Sequence, residues 1–334
     1  MDPRRALSRL SSEDFTMLKR RLQCKPNIGF NENGFFRARS FRRLREPPGN
    51  EDPNFLRMKS TVMILLNHVQ TNSWAPLRRI WYKIDKVWKF LRVYNGEDAY
   101  SAIDRARGFI NASFDEIKLV PQLRASVRGQ MTVYFKNEDD LFEENYTSAK
   151  TSSFPTGSVL RVSIPDSRNV VLMVWEKPSF LNKPFCETLE RFANEKRKSI
   201  LHIILSGQPS TCDKDFIAKV SKVGHVKKVL VICDADASGF AIYSAVKYGT
   251  PDSVLLKEET KCLKAELLFL DPRKSNLPRS PSQFEEAQIR NRLARRYFHT
   301  VEEERHLQIL LSHHAQLDVF GENVILRALR RHFE

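Results

Sequence analysis

The spacing of hydrophobic positions changes part-way along the chain. Over Met58–Val69 the apolar residues Val62, Leu65, Leu66 and Val69 recur at helical spacing, and Arg78–Leu91 repeats the pattern with Ile80, Trp81, Ile84, Val87, Trp88 and Leu91. Ser101–Ile117 adds a third stripe through Ile103, Ala106, Phe109, Ile110 and Phe114. Past residue 158 the pattern becomes short continuous apolar runs at Val159–Ile164, Val170–Trp175, Ile200–Leu205 and Val229–Cys233. Such runs read as strands buried on both faces. Helical stretches at Phe185–Lys196, Asp213–Val223 and Gly239–Val246 alternate with them, which predicts an α/β fold with a mostly parallel sheet and helices on both faces. Residues 283–333 are helical and basic. Between the two patterns lies an acidic stretch, Glu138-Asp139-Asp140 and Glu143-Glu144, followed by TSAKTSSFPTGS, a linker signature.

The expected organisation is therefore a basic N-terminal extension over 1–53, a helical module over 54–136, a linker over 137–158, and a sheet domain with a C-terminal helical region over 159–334. The first segment is rich in arginine, and Ser11-Ser12-Glu13-Asp14 starts a short helix there that suits either a partner or DNA. A merely solvated tail is the plain alternative. Several short helices in a basic context fit a winged-helix or helix-turn-helix module.

Charge narrows the partners. A formal net charge of +15 on 334 residues points to an anionic partner, nucleic acid before an acidic membrane. No stretch approaches the length of an apolar membrane span and no signal-peptide core opens the chain, so the expectation is a soluble intracellular protein with no membrane partner. The five cysteines include no C-x-x-C pair, which argues against a disulfide framework or a zinc ribbon and leaves buried thiols. A phosphate loop of the G-x-x-x-x-G-K-[ST] type is missing from the sequence, so ATP hydrolysis is not expected of this chain.

Candidate chemistry gathers where apolar runs end. Val229–Gly239 reads VLVICDADASG: a strand that stops in Asp234 and Asp236, two residues apart. Carboxylates converging at a strand's carboxyl end repel each other unless a cation lies between them, and Mg²⁺ suits all-oxygen ligands. One carboxylate on a ribose and one capping a helix is the competing reading. Val170–Trp175 ends similarly, in Glu176-Lys177. Together the two strand ends resemble the TOPRIM metal site of topoisomerases, primases and some nucleases, although a glutamate can also simply close a strand. A second signal is Arg78-Arg79-Ile80-Trp81-Tyr82, which puts Arg78 and Tyr82 one helical turn apart. A phenol is a poor nucleophile at neutral pH, and a guanidinium beside it would stabilise both a phenoxide and the phosphate it attacks. A structural tyrosine in a Trp-rich amphipathic helix accounts for the same residues.

In combination these motifs resemble the topoisomerase VI A-subunit family, including its eukaryotic relatives that make meiotic double-strand breaks. That family's Arg-x-Ile-(Phe/Tyr)-Tyr helix matches Arg78–Tyr82, its Ser-x-(Lys/Arg)-Gly turn matches Ser126-Val127-Arg128-Gly129, and its (Val/Ile)-Glu-Lys element matches Trp175-Glu176-Lys177. Its glycine–proline loop appears as Gly207-Gln208-Pro209-Ser210, and its Asp-Ala-Asp-Pro-x-Gly motif as DADASG followed by Lys247-Tyr248-Gly249. The order agrees from about residue 58 to 330. Departures include Trp81 for the usual Phe or Tyr, Trp175 for Val or Ile, Ala237 for proline, and Ser210 for aspartate.

The resemblance implies a winged-helix (CAP-like) domain carrying the catalytic tyrosine, joined to a TOPRIM domain. It implies Tyr82 as nucleophile supported by Arg78, with Mg²⁺ (or Mn²⁺ in its place) on Glu176, Asp234 and Asp236. Lys177, Arg124 and Arg128 are the candidates for DNA phosphate contacts; a salt bridge for Lys177 and solvated surface positions for the arginines are the alternatives. The implied partners are double-stranded DNA, a second copy of the chain, a topoisomerase VI B-like partner and other break-forming proteins. The implied location is the nucleus, on chromosomes.

Overall fold

The computed structural model describes residues 73–90, 99–110, 117–121, 123–137, 140–165, 168–249, 260–295 and 300–333, with the separate positions 57, 60–62, 64–65, 68 and 114. The arginine-rich segment 1–53 and its expected helix lie outside the described residues.

Two hydrophobic clusters organise the chain. The smaller joins helix α1 (Leu77–Phe90) to helix α2 (Ala99–Ile110) through Ile80, Ile84, Trp88, Ile103 and Ala106, with Val62 and Leu65 packed alongside. These are the positions that the helical spacing selects. Short strands β1 (Ala75–Pro76) and β2 (Leu119–Val120) pair in parallel beside them.

The larger cluster surrounds a six-stranded sheet. Its members are β3 (Ser126–Arg128), β6 (Ser152–Ser153), β8 (Asn169–Trp175), β9 (Lys198–Ile204), β10 (Val226–Ile232) and β11 (Ala265–Leu267), in the order β11-β10-β8-β9-β3-β6. The four strands from β11 to β9 run parallel, whereas β3 and β6 join antiparallel at one edge. Consecutive side chains of β8 from Val170 to Trp175 are buried, so both faces of this strand are covered, as a continuous apolar run requires. Each fully buried side chain of this kind contributes about 2 kcal/mol by leaving water. Helix α3 (Lys183–Glu195) follows β8, α4 (Thr211–Lys222) follows β9 and α5 (Ala237–Tyr248) follows β10. Helices α6 (Gln283–Arg295), α7 (Val301–Leu310) and α8 (Glu322–Arg330) complete the C-terminal region.

The structure corrects one expectation of organisation. Residues 137–158, expected as a linker, contain strand β5 (Asp140–Tyr146), which forms a hairpin with β4 (Met131–Asn137), as well as β6. Strand β5 exposes most of its residues, so its acidic composition hides a strand that only one neighbour supports. The run at Val159–Ile164 is also placed differently. As β7 (Ser158–Ser163) it pairs with β4 in a separate three-stranded sheet, not with the parallel strands.

Strand order fixes where chemistry can sit. From β8 the chain crosses to β9 on one side, then returns to place β10 on the other. The carboxyl ends of β8 and β10 therefore flank a topological switch point, where open α/β sheets bind ligands.

Candidate active site

Glu176 directly follows β8, and Asp234 lies two residues beyond β10, where Ile232 pairs with Trp175. The Asp234 N–H donates to Glu176 Oε2 at 2.9 Å, which locks the two strand ends together. Asp234 Oδ1 accepts from the Leu317 N–H at 2.7 Å, and its Oδ2 accepts from Lys177 Nζ at 2.6 Å. Asp236 is the N-cap of α5, with Oδ1 accepting from the Gly239 N–H at 2.8 Å. Capping, one of the two competing readings of the sequence, takes Oδ1 of this residue; Oδ2 remains, and Arg279 Nη2 stands 3.6 Å from it.

Glycine is needed at position 239 for space. A Cβ there would lie 2.0 Å from the Asp234 carbonyl oxygen, well inside contact distance. At Gly129 a φ of +135° and the Leu201 side chain, 2.5 Å from where a Cβ would stand, explain the glycine after Arg128.

The electrostatics follow from burial. Glu176, Asp234 and Asp236 are 7%, 8% and 7% exposed. Loss of water pushes the Glu176 carboxyl up to about 7, reinforced by the neighbouring aspartate charges and opposed by the Asp234 N–H and Lys177. Burial works to lower the Lys177 ammonium, but its hydrogen bond and ion pair with Asp234 outweigh it and hold the group above its ordinary value. Three buried carboxylates with only oxygen donors suit a hard divalent cation. As placed, they do not close into a ligand cage: among the described residues no group of three or more His, Cys, Asp or Glu is arranged to hold an ion. Two protein cations adjoin the carboxylates, Lys177 on Asp234 and Arg279 near Asp236.

Tyr82 lies on α1 with 52% of its surface exposed. Arg78 Nε donates to its Oη at 3.2 Å, and Trp81 meets its ring edge-on with centroids 4.8 Å apart. Among the described residues no hydrogen bond or ion pair joins Tyr82 to the carboxylates. The helical module does touch the sheet domain elsewhere, where Thr211 Oγ1 donates to Asp104.

The two arginines part company. Arg124 is exposed, whereas Arg128 is 8% exposed, cross-strand from His202 and with Nη2 3.7 Å from Glu190. In place of the expected surface contact, β3 turns Arg128 into the interior; burial, and then the Arg128 charge, push His202 down to about 3.

Sequence reasoning missed three acidic residues that organise this region. Asp213 caps α4 reciprocally with Ser210 and also accepts from the Arg124 and Ala125 N–H groups. Ser210, the departure from the usual aspartate, is thus a working N-cap. Glu303 pairs with Thr300 in the same way and accepts from Tyr243, Lys247 at 2.8 Å and Tyr248 at 3.0 Å, tying α7 to α5. Glu285 pairs with Ser282 and forks onto Arg279. The available signal was Ser/Thr-x-x-Asp/Glu before each helix.

Comparison with known families bears on the sheet domain. Residues 171–321 match the family model for the Toprim domain of the topoisomerase 6 A-subunit/Spo11 family. This part of the chain is similar to the Toprim domain of that family. The family is one of type IIB topoisomerase-like DNA transesterases, and Toprim domains generally bind Mg²⁺. The matched span includes Glu176, Asp234 and Asp236 and ends before α8. A comparison with curated proteins found no match. No helix among the described residues is long and apolar enough to cross a membrane.

Proposed function

We propose that this protein cleaves DNA by transesterification to make meiotic double-strand breaks, with Tyr82 as the nucleophile. The observation that carries the reading is the pairing of an exposed Tyr82, hydrogen-bonded by Arg78, with a buried carboxylate cluster in a region similar to the Toprim domain of a DNA transesterase family. Tyr82 Oη would attack a backbone phosphorus, forming a 5′-phosphotyrosyl bond as the P–O3′ bond breaks and a 3′-hydroxyl leaves with a proton. One phosphodiester replaces another, so the step needs no ATP. Arg78, already donating to Oη, is placed to stabilise the oxygen's developing charge and the phosphoryl oxygens. Glu176, Asp234 and Asp236 would hold Mg²⁺, which supplies charge neutralisation at the phosphate. Lys177, displaced from Asp234, and the exposed Arg124 are suited to phosphate contacts that position DNA.

The helical module over 54–136 is read as a winged-helix domain. In the active dimer, Tyr82 of one protomer meets the carboxylates of the other. The arginine-rich extension and the departures at Trp81, Ala237 and Ser210 favour the meiotic branch over a resealing topoisomerase. Location on chromosomes in the nucleus follows from that role.

The test is a covalent-adduct trap. The protein is immunoprecipitated under denaturing conditions and the free 3′ ends of attached DNA are labelled, comparing wild type with Tyr82→Phe. Label on the wild type alone is the expected result, with DNA affinity retained in the variant. No label on either protein, when both are on chromatin, contradicts the reading.

A further inference from the structure

Asp236 and Asp234 are answered by protein cations in different ways. Lys177 sits directly on Asp234 at 2.6 Å. Arg279 stops at 3.6 Å from Asp236 Oδ2, beyond hydrogen-bond reach, because Glu285 holds it: Nη2 donates to Oε1 at 2.6 Å and Nη1 to Oε2 at 2.9 Å. Glu285 is itself fixed, accepting from both the N–H and the hydroxyl of Ser282 at 2.8 Å. Hydrogen bonding from Arg279 holds its carboxyl far below the usual range, so it stays charged. Its other neighbour, His314 Nδ1 at 3.4 Å, is fully buried, and burial lowers that imidazole from 6.5, leaving it neutral at pH 7. The positive charge facing Glu285 is thus the guanidinium.

The backbone keeps this group beside the site. Arg279 and His314 exchange backbone hydrogen bonds at 2.8 and 2.7 Å. The next residue, Ala315, exchanges a similar pair with Ala235, between the two aspartates. The side chain of Arg279 is 43% exposed and has room to move while its backbone is pinned.

We propose that Arg279 and Glu285 form a charge latch that sets how tightly the carboxylate site takes a divalent cation. The inference rests on the reading of Glu176, Asp234 and Asp236 as that site. After capping α5, Asp236 has one oxygen to offer, and a guanidinium within 4 Å competes for it. Glu285 draws the guanidinium off, keeping Oδ2 available to an ion. Arg279 is a positioning residue in this scheme, acting through Asp236.

Two substitutions should act in opposite directions. Glu285→Gln removes the anchoring charge but keeps the reciprocal cap with Ser282, since glutamine serves at that position. Released, Arg279 pairs directly with Asp236, and divalent affinity falls roughly tenfold, the scale of one close charge pair near a protein surface. Arg279→Gln, or Arg279→Met as a second neutral variant, removes the competitor and raises affinity roughly tenfold. The double variant should follow Arg279→Gln, because the anchor has nothing left to hold.

The experiment is calorimetric titration of Mn²⁺ and of Mg²⁺ into chelator-treated full-length protein without DNA, with circular dichroism melts confirming that each variant folds. Opposite shifts, with the double variant matching Arg279→Gln, are expected. Saturable wild-type binding with folded variants that shift in the same direction, or by less than about twofold, overturns the latch alone. If wild-type binding is missing, or unchanged by Asp234→Asn, the cation site and the latch fall together.

Discussion

Tyr82 and the carboxylate cluster are held in opposite ways. Glu176, Asp234 and Asp236 are at most 8% exposed, each fixed by a backbone N–H or a strand end, and two of them face protein cations. Tyr82 is 52% exposed and its contacts are with Arg78 and Trp81 of its own helix. The contrast matches what each group is proposed to do. Carboxylates that bind an ion gain from a dry, rigid setting in which their mutual repulsion is relieved only by cations. A nucleophile for a polymer backbone must be reachable from solvent. On the proposed reading, such a chain carries two halves of a site that assembly would join.

The sharpest way to break the comparison is at the buried half. Asp234→Asn should lower metal-dependent cleavage by about a hundredfold or more, with DNA binding little changed. It removes the Lys177 ion pair and a charged oxygen but keeps the shape, so unchanged cleavage would end the metal assignment. Gly239→Ala attacks the same half through packing. The added methyl must displace the Asp234 carbonyl, which lowers stability by about 2–3 kcal/mol and disturbs the Asp236 cap. Thermal melting reads the first effect, and cation affinity the second.

A smaller effect comes from Glu176. Its carboxyl is raised from 4.5 to about 7 in the folded protein, so the folded state holds that proton more tightly than the unfolded one. Stability should therefore fall as pH rises through this window, by about 2 kcal/mol from this residue. Without divalent ions, Glu176→Gln should melt higher than wild type at pH 8, and the advantage should vanish at pH 4. Saturating Mg²⁺ should reverse the order at pH 8, because glutamine is the weaker ligand. A wild type and variant that keep the same difference at every pH would contradict the burial argument.

Much of the buried half was legible because continuous apolar runs announce doubly covered strands and polar residues end them abruptly. Val170–Trp175 lies within β8, and Asp234 and Asp236 follow β10 as expected. The partners that hold those carboxylates were hidden. The Leu317 N–H is a backbone group, and Arg279 reaches Asp236 only through the bridges by way of His314 and Ala315. Strand β5 was concealed by its exposure, since a sheet edge needs no apolar face to form hydrogen bonds with β4. Arg128 misled because a basic residue in a basic chain looks like surface, whereas β3 carries it into the sheet beside His202.

The most direct test of a divided site mixes two inactive proteins. Tyr82→Phe and Asp234→Asn protomers, each unable to form adducts alone, are co-assembled and assayed on supercoiled DNA for covalent adducts and nicks. If the tyrosine of one protomer serves the carboxylates of the other, the mixed dimer keeps one intact site, so single-strand nicks with 5′-linked protein are expected. If both parts act within one chain, no site in the mixture is complete, and DNA left uncut by a verified heterodimer would contradict the account.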